Sequence, residues 1–316
     1  MKQLSEKDIE RRLALAIANN QSVSPEKLVA DLLGTFGLSA GKAGDEFLFP
    51  ARETTARERI FGGQVIAQAM IAANLTVEET KQIHSLHGYF LRAGSETKPL
   101  HFKVHRDFDG RTISNRRVVV RQDEKVIFNL TASFQRPLEG LHHQVPMPDV
   151  LPPEECRNVA KYLEYIARNP AVPDEKIKRM TMPRPFEICH FRPKNQGQST
   201  RQYQWLKTIG RLPDDPLLHR ATLAFASDMG LLSTSMLPHG LNMTTSRMIS
   251  TSLDHAMWFH DDFRADEWIC HVMDSDWTGG ARGHNRGKFF TREGKLVASA
   301  TQEGLMRPVQ HKSKPA

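Results

Sequence analysis

The spacing of apolar residues predicts two amphipathic helices at the start of the chain and one buried helix after them. Residues 5–18 and 24–34 each place their apolar side chains on one face. Ser24 suits the N-cap of the second helix, and Pro25 suits its first turn. Residues 65–75 are apolar on nearly every side, which is typical of a helix surrounded by protein.

Strand-like runs follow this buried helix and predict an antiparallel sheet. They cover residues 85–94, 101–108, 115–122 and 125–137. Asp123-Glu124 joins the last two runs and is a hairpin signal. Gly62 and Gly63 precede the helix, where glycine permits close backbone approach to the free N–H groups of a helix start. We therefore predict one buried helix followed by antiparallel strands.

The second half of the chain repeats the first. The matches at a spacing of 170 positions are Asn285 with Asn115, Lys295 with Lys125 and Thr301 with Thr131. A single long repeat predicts a duplicated domain and not a solenoid array. Between the copies, nine prolines from 137 to 185 predict a long interdomain connection with one helical stretch at 159–168.

The two copies differ where polar residues interrupt the apolar pattern. Gln302 matches Ala132 at the same spacing. Asp228 closes the apolar run 221–230 and matches Asn74, which cannot act as a base. Since only the second copy carries a carboxylate and an amide together, we expect any chemistry to lie there.

Composition and charge are those of an ordinary soluble protein and make a nucleic acid partner less favoured. The chain of 316 residues is 39% hydrophobic and 25% charged, as expected for a soluble protein with a core. Its net charge of +7 fits a nucleic acid or a polyanionic small molecule. No zinc-finger spacing or dense basic tract with interleaved aromatics accompanies that charge, so nucleic acid remains a minor alternative.

The cysteines and the termini bear on the compartment. Three scattered cysteines predict a reducing environment, no disulfide framework and no structural zinc, so the sequons at Asn74, Asn129 and Asn242 read as chance matches. The charged N-terminus lacks a signal-peptide apolar region, and no apolar run reaches membrane-spanning length. We expect a cytoplasmic protein. A peroxisomal location is the alternative, although the final residues HKSKPA are not Ser-Lys-Leu.

The stretch 251–260, TSLDHAMWFH, sets polar groups beside large aromatic residues. This pattern indicates either polar side chains that are hydrogen-bonded within the core or a functional site. Asp254 and His255 resemble a catalytic pair, but neighbours on a strand point to opposite faces, so we assign them to structure. Residues 37–41 match G-x-S-x-G, yet no strand-to-helix turn surrounds Ser39, and we expect a linker. His260-Asp261-Asp262 resembles a metal cluster, but sequence neighbours rarely converge on one ion.

The chain resembles the acyl-CoA thioesterase II family, the double-hotdog thioesterases. The resemblance covers roughly residues 25–308 and rests on the ordered motifs RIFGGQVIAQA, HSLHGYFLRAG, TASFQRP, ASD at 226–228, LDHAMWFH and VASATQEGLMR. It implies an α+β double hotdog, with two tandem domains that each wrap a curled antiparallel sheet around a central helix. The boundaries that we predict are a helical N-terminal extension at 1–40, a first hotdog domain with a degenerate site at 41–140, a Pro-rich connection at 141–184, a catalytic hotdog domain at 185–310 and a tail at 311–316.

The resemblance further implies hydrolysis of fatty acyl-CoA to fatty acid and CoA, without cofactor or metal. In the family an Asp, a hydroxyl residue and a Gln hold a water, and these carry over to Asp228, Ser252 and Gln302. The family pattern has Thr more often than Ser at the middle position, so Thr251 is the alternative source of the hydroxyl. A homodimer or homotetramer is expected.

Three cations on one strand-like run, Arg282, Arg286 and Lys288, are candidates to meet the phosphates of CoA. Two other functions remain open at this point. One is another hotdog acyl-thioester enzyme such as a dehydratase, which usually pairs a His with a carboxylate. The other is a non-catalytic acyl-CoA-binding protein.

Overall fold

The computed structural model describes residues 4–51, 59–156, 159–191, 199–241 and 248–308. The expected tail at 311–316 and the sequon at Asn242 lie outside these ranges. The helices described are α1 (Glu6–Asn20), α2 (Pro25–Gly34), α3 (Gly62–Asn74), α4 (Val159–Arg168), α5 (Asp174–Met180), α6 (Pro216–Ser227) and a 3₁₀ helix at Leu232–His239. None of them is long and apolar enough to cross a membrane.

The described strands form one antiparallel sheet. They are β1 (Ser39–Ala40), β2 (Glu46–Phe49), β3 (Gln82–Phe90), β4 (Leu100–Asp109), β5 (Ile113–Gln122), β6 (Lys125–Gln135), β7 (Phe186–Phe191), β8 (Arg201–Thr208), β9 (Met248–Ser252), β10 (Asp254–Phe259), β11 (Ile269–Gly279), β12 (Arg282–Thr291) and β13 (Leu296–Pro308). The predicted hairpin joins β5 to β6, and Asp123 and Glu124 both have positive φ, as its two-residue turn requires.

The sheet order confirms the duplication. Strands β3 and β10 pair at the centre. Outward from this seam the first half runs β3-β6-β5-β4-β2-β1, and the second half runs β10-β13-β12-β11-β8-β7. Strand β9 lies off this path and pairs with β13. Each half is one curled sheet with one central helix, which is the predicted double hotdog; the exact domain boundaries stay predictions.

The central helices α3 and α6 pack against each other within one core. Nearly all side chains of α3 are buried, as its all-round apolar sequence predicts. Phe225 of α6 contacts the rings of Phe36, Phe61 and Phe186. The N-terminal end of α3 therefore lies against the C-terminal end of α6, and this contact brings the two halves together.

The N-terminal helices form close to the predicted bounds, with Ser5 and Ser24 as caps. Helix α1 packs on α4 and α5, and these last two lie in the Pro-rich connection. Buried Arg12 joins them, because its guanidinium donates to backbone carbonyl oxygens at Ile166, Asn169 and Val172. One expectation was wrong. Within 37–41, Ser39–Ala40 is a short strand paired with β2, and Ser39 donates to the carbonyl of Leu48.

Candidate active site

Asp228 stands at the end of helix α6, where the apolar sequence ATLAFAS fills the core. Every residue from Ala221 to Ser227 is buried, and Asp228 follows as the C-cap with some of its surface still exposed. A buried helix thus presents a carboxylate at the point where the chain turns away from it. The sequence predicted this position from the single charge that closes the run.

The structure brings Asp228, Ser252 and Gln302 together from three separate elements. Gln302 Nε2 donates to Asp228 Oδ1 over 2.6 Å and to Ser252 Oγ over 2.9 Å. Ser252 Oγ donates to the same carboxylate oxygen over 3.3 Å. The side chain of Gln302 is fully buried, and its Oε1 atom has no hydrogen-bond partner in the described protein.

Ser252, and not Thr251, supplies the hydroxyl of this cluster. Alternate residues of β9 are exposed, and Thr251 is one of them, whereas Ser252 is partly buried. Successive side chains of a strand point to opposite faces, so only one of the two can reach Asp228. The geometry thereby selects between the two residues that the sequence left open.

The first half of the chain contributes a backbone group to the same cluster. The N–H of Gly63, in the first turn of α3, donates to Asp228 Oδ2 over 3.0 Å. An added Cβ at Gly62 would lie 2.6 Å from that oxygen, and one at Gly63 would lie 2.1 Å from the Phe225 carbonyl oxygen. Gly63 is therefore required for the close approach of the two helices, and Gly62 leaves room for the carboxylate of Asp228.

The surroundings of Asp228 favour a carboxyl group that takes up a proton easily. Burial among apolar and backbone atoms raises its pKa from 3.8 to about 6. Hydrogen bonds from Gln302, Gly63 and Ser252 act in the other direction, because they stabilise the carboxylate. At pH 7 Asp228 is thus ionised and more basic than an ordinary aspartate, as a general base should be.

The first half lacks the corresponding groups. Leu86 pairs with Ala132 between β3 and β6, whereas in the second half His255 of β10 contacts Gln302 of β13. At the C-terminal end of α3, Asn74 takes the place that Asp228 has after α6. Ala132 and Asn74 thus occupy the positions of the amide and the carboxylate. The two halves of the fold therefore differ at the positions where the two copies of the repeat differ in sequence.

The proposed phosphate ligands do not lie at this cluster. Arg282, Arg286 and Lys288 share the face of β12 opposite Asn285, whose backbone pairs with Gln302. Arg286 already binds Asp274 and Asp276, at 3.0 and 2.6 Å. Arg282 lies 3.6 Å from Glu303 and stacks over Trp277. Their role towards CoA stays a prediction.

The other polar candidates form structural contacts. Asp254 accepts from the backbone N–H of Glu303 over 2.6 Å and points away from His255, as strand alternation predicts. His260, Asp261 and Asp262 diverge to Ser299, Lys295 and Arg220 respectively. Within the described residues no three His, Cys, Asp or Glu side chains form a group suited to a metal.

A surface cavity of about 240 Å³ lies at the other end of α6, lined by Asp214, Pro216, His219, Arg220, Asp262, Phe263 and Arg264. The length of the helix separates it from Asp228 by roughly 18 Å. Its cations are already paired, Arg220 with Asp262 and Arg264 with Asp266. This cavity is therefore not the site predicted from the motifs.

Sequence reasoning missed two groups that contact the cluster. The Gly63 N–H acts across 165 positions, and only the Gly62-Gly63 pair signalled a close backbone approach. The sequence pattern assigns His255 to a structural role together with Asp254, yet its Nδ1 lies 3.3 Å from Gln302 Nε2. Strand alternation could have predicted this contact, because it places His255 and Asp254 on opposite faces of the sheet.

Known proteins resemble this chain over most of its length. A family model described as acyl-CoA thioesterase matches residues 178–305, and one described as acyl-CoA thioesterase N-terminal domain matches residues 50–135. Human acyl-coenzyme A thioesterase 8 is 36% identical over 276 residues, which are 83% of this chain and 85% of that protein. Acyl-CoA thioesterase 2 of Haemophilus influenzae is 34% identical over 253 residues, 79% of this chain and 88% of the relative.

The fold has a solved counterpart as well. The crystal structure of an acyl-CoA thioesterase II from Mycobacterium marinum superimposes with a TM-score of 0.72 at 34% identity, covering 88% of this chain and 98% of that one. The relatives match over most of their length, and both halves of the duplicated fold are included. The chain therefore belongs to the acyl-CoA thioesterase II family of double-hotdog enzymes.

Proposed function

We propose that this chain hydrolyses fatty acyl-CoA thioesters to fatty acid and CoA by a water activated at Asp228, Ser252 and Gln302. One observation carries the proposal. These three side chains meet within hydrogen-bond distance at the contact of the two helices, and no group among the described residues donates to Gln302 Oε1. A water held there meets a base on one side and an acceptor on the other.

The chemistry needs one proton carrier. Asp228 takes a proton from the water while the water oxygen attacks the thioester carbonyl carbon. A tetrahedral intermediate forms. The carbon–sulfur bond then breaks, and the thiolate of CoA leaves with the proton that Asp228 had accepted. Ser252 and Gln302 orient the water and hold the carboxylate, so the attacking oxygen is placed before the reaction begins.

Thiol release distinguishes hydrolysis from binding. We expect the purified protein to release free thiol from palmitoyl-CoA, and Asp228→Asn to abolish that release while still binding substrate, which equilibrium dialysis would measure. Binding without release by the native protein would instead support the non-catalytic reading. Formation of an unsaturated acyl product from a hydroxyacyl-CoA would support dehydration, for which His255 is poorly placed because Ser227 occupies its Nε2.

For the phosphates of CoA we keep Arg282, Arg286 and Lys288 as candidates. Arg286→Ala should raise KM for acyl-CoA more than KM for a truncated acyl-pantetheine, since only CoA carries the phosphates. Equal effects on the two substrates would remove this role. The ion pairs of Arg286 with Asp274 and Asp276 must then open, or be shared, when CoA binds.

We further propose a cytoplasmic homodimer or homotetramer, with a peroxisomal location as the alternative. Edge strands of an open sheet carry unpaired backbone groups that association can satisfy. Light scattering after gel filtration would give the assembly, and a monomer at micromolar concentration would contradict it.

A further inference from the structure

A fully buried histidine lies directly behind the amide of Gln302. His255 Nδ1 is 3.3 Å from Gln302 Nε2, and its Nε2 is 2.9 Å from Ser227 Oγ. The His255 side chain has no exposed surface, and burial lowers its pKa to about 4. The imidazole is therefore neutral at physiological pH and carries one proton on one of its two nitrogens.

The hydroxyl of Ser227 determines which nitrogen carries that proton. Ser227 Oγ donates its single proton to the carbonyl oxygen of Ala224 over 2.8 Å. Oγ can then only accept from His255, so the proton of the imidazole lies on Nε2. Nδ1 is left as an acceptor that faces Gln302.

An acceptor at this point decides the orientation of the Gln302 amide. Of the two hydrogens on Gln302 Nε2, one is donated to Asp228 Oδ1, and the other is shared between Ser252 Oγ at 2.9 Å and His255 Nδ1 at 3.3 Å. Nδ1 also repels the amide oxygen, so Nε2 stays on the side of His255 and Asp228. Oε1 is consequently turned away from both groups; it is buried and accepts no hydrogen bond from the described residues. The same orientation keeps a donor on Asp228 Oδ1, 2.6 Å away.

This restraint matters most in the middle of the reaction. Once Asp228 has taken up a proton, it no longer requires a donor from Gln302 and can itself donate to an amide oxygen. A freely rotating amide could then flip and stabilise protonated Asp228, which would slow the return of the proton to the leaving thiolate. Nδ1 of His255 opposes that flip in either protonation state of Asp228.

The inactive half of the molecule lacks the whole arrangement. In the pairing of β3 with β10, His255 lies opposite Gly88 and Met257 lies opposite Leu86. A local two-fold axis midway between these two pairs relates His255 to Leu86. The same relationship exchanges Gln302 with Ala132, and aligning the starts of α3 and α6 exchanges Ser227 with Ala73. The half without the amide also lacks the imidazole and the hydroxyl behind it.

We propose that His255, oriented by Ser227, is a positioning residue that holds the side-chain amide of Gln302 with its nitrogen on Asp228 and its oxygen towards the water. The proposal rests on the proposed hydrolysis at Asp228. It adds the two groups that fix the orientation of one member of that site.

The test compares His255→Leu with His255→Asn by the pH dependence of kcat. Leucine is the residue at the matched position of the first half, whereas asparagine can offer an acceptor near the place of Nδ1. In His255→Leu we expect kcat to fall about tenfold to hundredfold with KM nearly unchanged. The acid limb of its pH profile, where kcat falls as Asp228 is protonated, should move up by about one pH unit. The pKa of Asp228 rises because Gln302 no longer keeps a donor on its carboxylate. His255→Asn should recover part of the rate and return the limb towards its original position.

His271 provides the matched control. It is a second fully buried imidazole on the same face of the sheet, stacked on Phe289. Burial, and to a smaller extent repulsion from His255, lowers its pKa to about 3. Its described hydrogen bond is to Gln204 and not to Asp228, Ser252 or Gln302. His271→Leu should lower the melting temperature but leave the acid limb of kcat unmoved.

Each result bears on the proposal. A His255→Leu protein with native kcat and an unmoved acid limb would overturn it. If His255→Leu fails to fold, Ser227→Ala decides, since it frees the tautomer and should move the limb in the same direction; an unmoved limb there would also overturn the proposal. An Asp228→Asn protein that still hydrolyses acyl-CoA at the native rate would instead reject the proposed function.

Discussion

The backbone N–H of Gly63 and the carboxylate of Asp228 form a hydrogen bond of 3.0 Å between the two halves of the duplicated chain. Asp228 belongs to the half that carries the proposed catalytic side chains, and Gly63 belongs to the half that has Ala132 and Asn74 at the matched positions. The free N–H groups at the start of a helix attract an anion. The first half therefore contributes to the candidate site, because its Gly63 N–H holds the Asp228 carboxylate on the side opposite Gln302.

Gly62→Ala should lower activity with little loss of stability. Its new Cβ would lie 2.6 Å from Asp228 Oδ2, and the carboxylate would have to move away from Ser252 and Gln302. We expect kcat to fall about tenfold to hundredfold, since a small displacement of a reacting group is costly. Gly34→Ala in α2 is the control, because nothing lies within 4 Å of its Cβ and it should stay fully active. A fully active Gly62→Ala would show that the contact is dispensable.

The rate of hydrolysis should fall on the acid side of pH 6. Burial raises the pKa of Asp228 to about 6, and only the ionised form can take a proton from water. Below that pH, kcat should decrease about tenfold per pH unit. The profile of kcat is measured from about pH 4.5 to about pH 8, and circular dichroism checks that the protein stays folded at each pH. A rate that stays constant down to pH 5 would contradict the assignment of Asp228 as the base.

The same raised pKa predicts a cost in stability at neutral pH. Asp228 binds its proton more tightly in the folded than in the unfolded chain, so its contribution is favourable at low pH and is lost as the pH rises from about 4 to about 6. A shift of about two pH units corresponds to about 3 kcal/mol. Asp228→Asn should therefore gain stability relative to the native protein between pH 4 and pH 7, up to that amount, in urea unfolding. A stability difference that does not vary with pH would contradict the raised pKa.

Ser252 and Thr251 make a matched pair for the hydroxyl. Ser252 contacts both Asp228 and Gln302, whereas Thr251 is exposed on the other side of β9. Ser252→Ala should lower kcat about tenfold to hundredfold, and Thr251→Ala should leave it unchanged. Ser252→Thr keeps the hydroxyl and should retain most of the activity. Loss of activity in Thr251→Ala, with Ser252→Ala still active, would reverse the assignment.

Much of this fold was predictable because its signals are local. The all-round apolar helix α3, the capped helix α2 and the Asp123-Glu124 turn all follow from neighbouring residues. The repeat predicted two copies of one domain, and the family resemblance implied that each copy is a hotdog. The mismatch between Gln302 and Ala132 places the polar cluster in the second copy, and the location of the catalytic site there stays a prediction. Strand alternation correctly separated Asp254 from His255.

The remaining features depend on contacts between distant parts of the chain. The choice of Ser252 over Thr251 required knowing which face of β9 meets α6. The contact of His255 with Gln302 depends on the register of β10 against β13, and the bond from Gly63 depends on how α3 meets α6. None of these relations leaves a repeating pattern in the sequence.

The most direct test of water activation at Asp228 is a single turnover of palmitoyl-CoA in ¹⁸O-water with enzyme in excess, followed by mass spectrometry of the fatty acid and of the peptide that contains Asp228. Direct attack by water predicts one ¹⁸O atom in the carboxylate of the fatty acid and none in Asp228. An unlabelled fatty acid together with ¹⁸O in Asp228 would mean that the carboxylate itself attacks the thioester, and would contradict the account given for Asp228, Ser252 and Gln302.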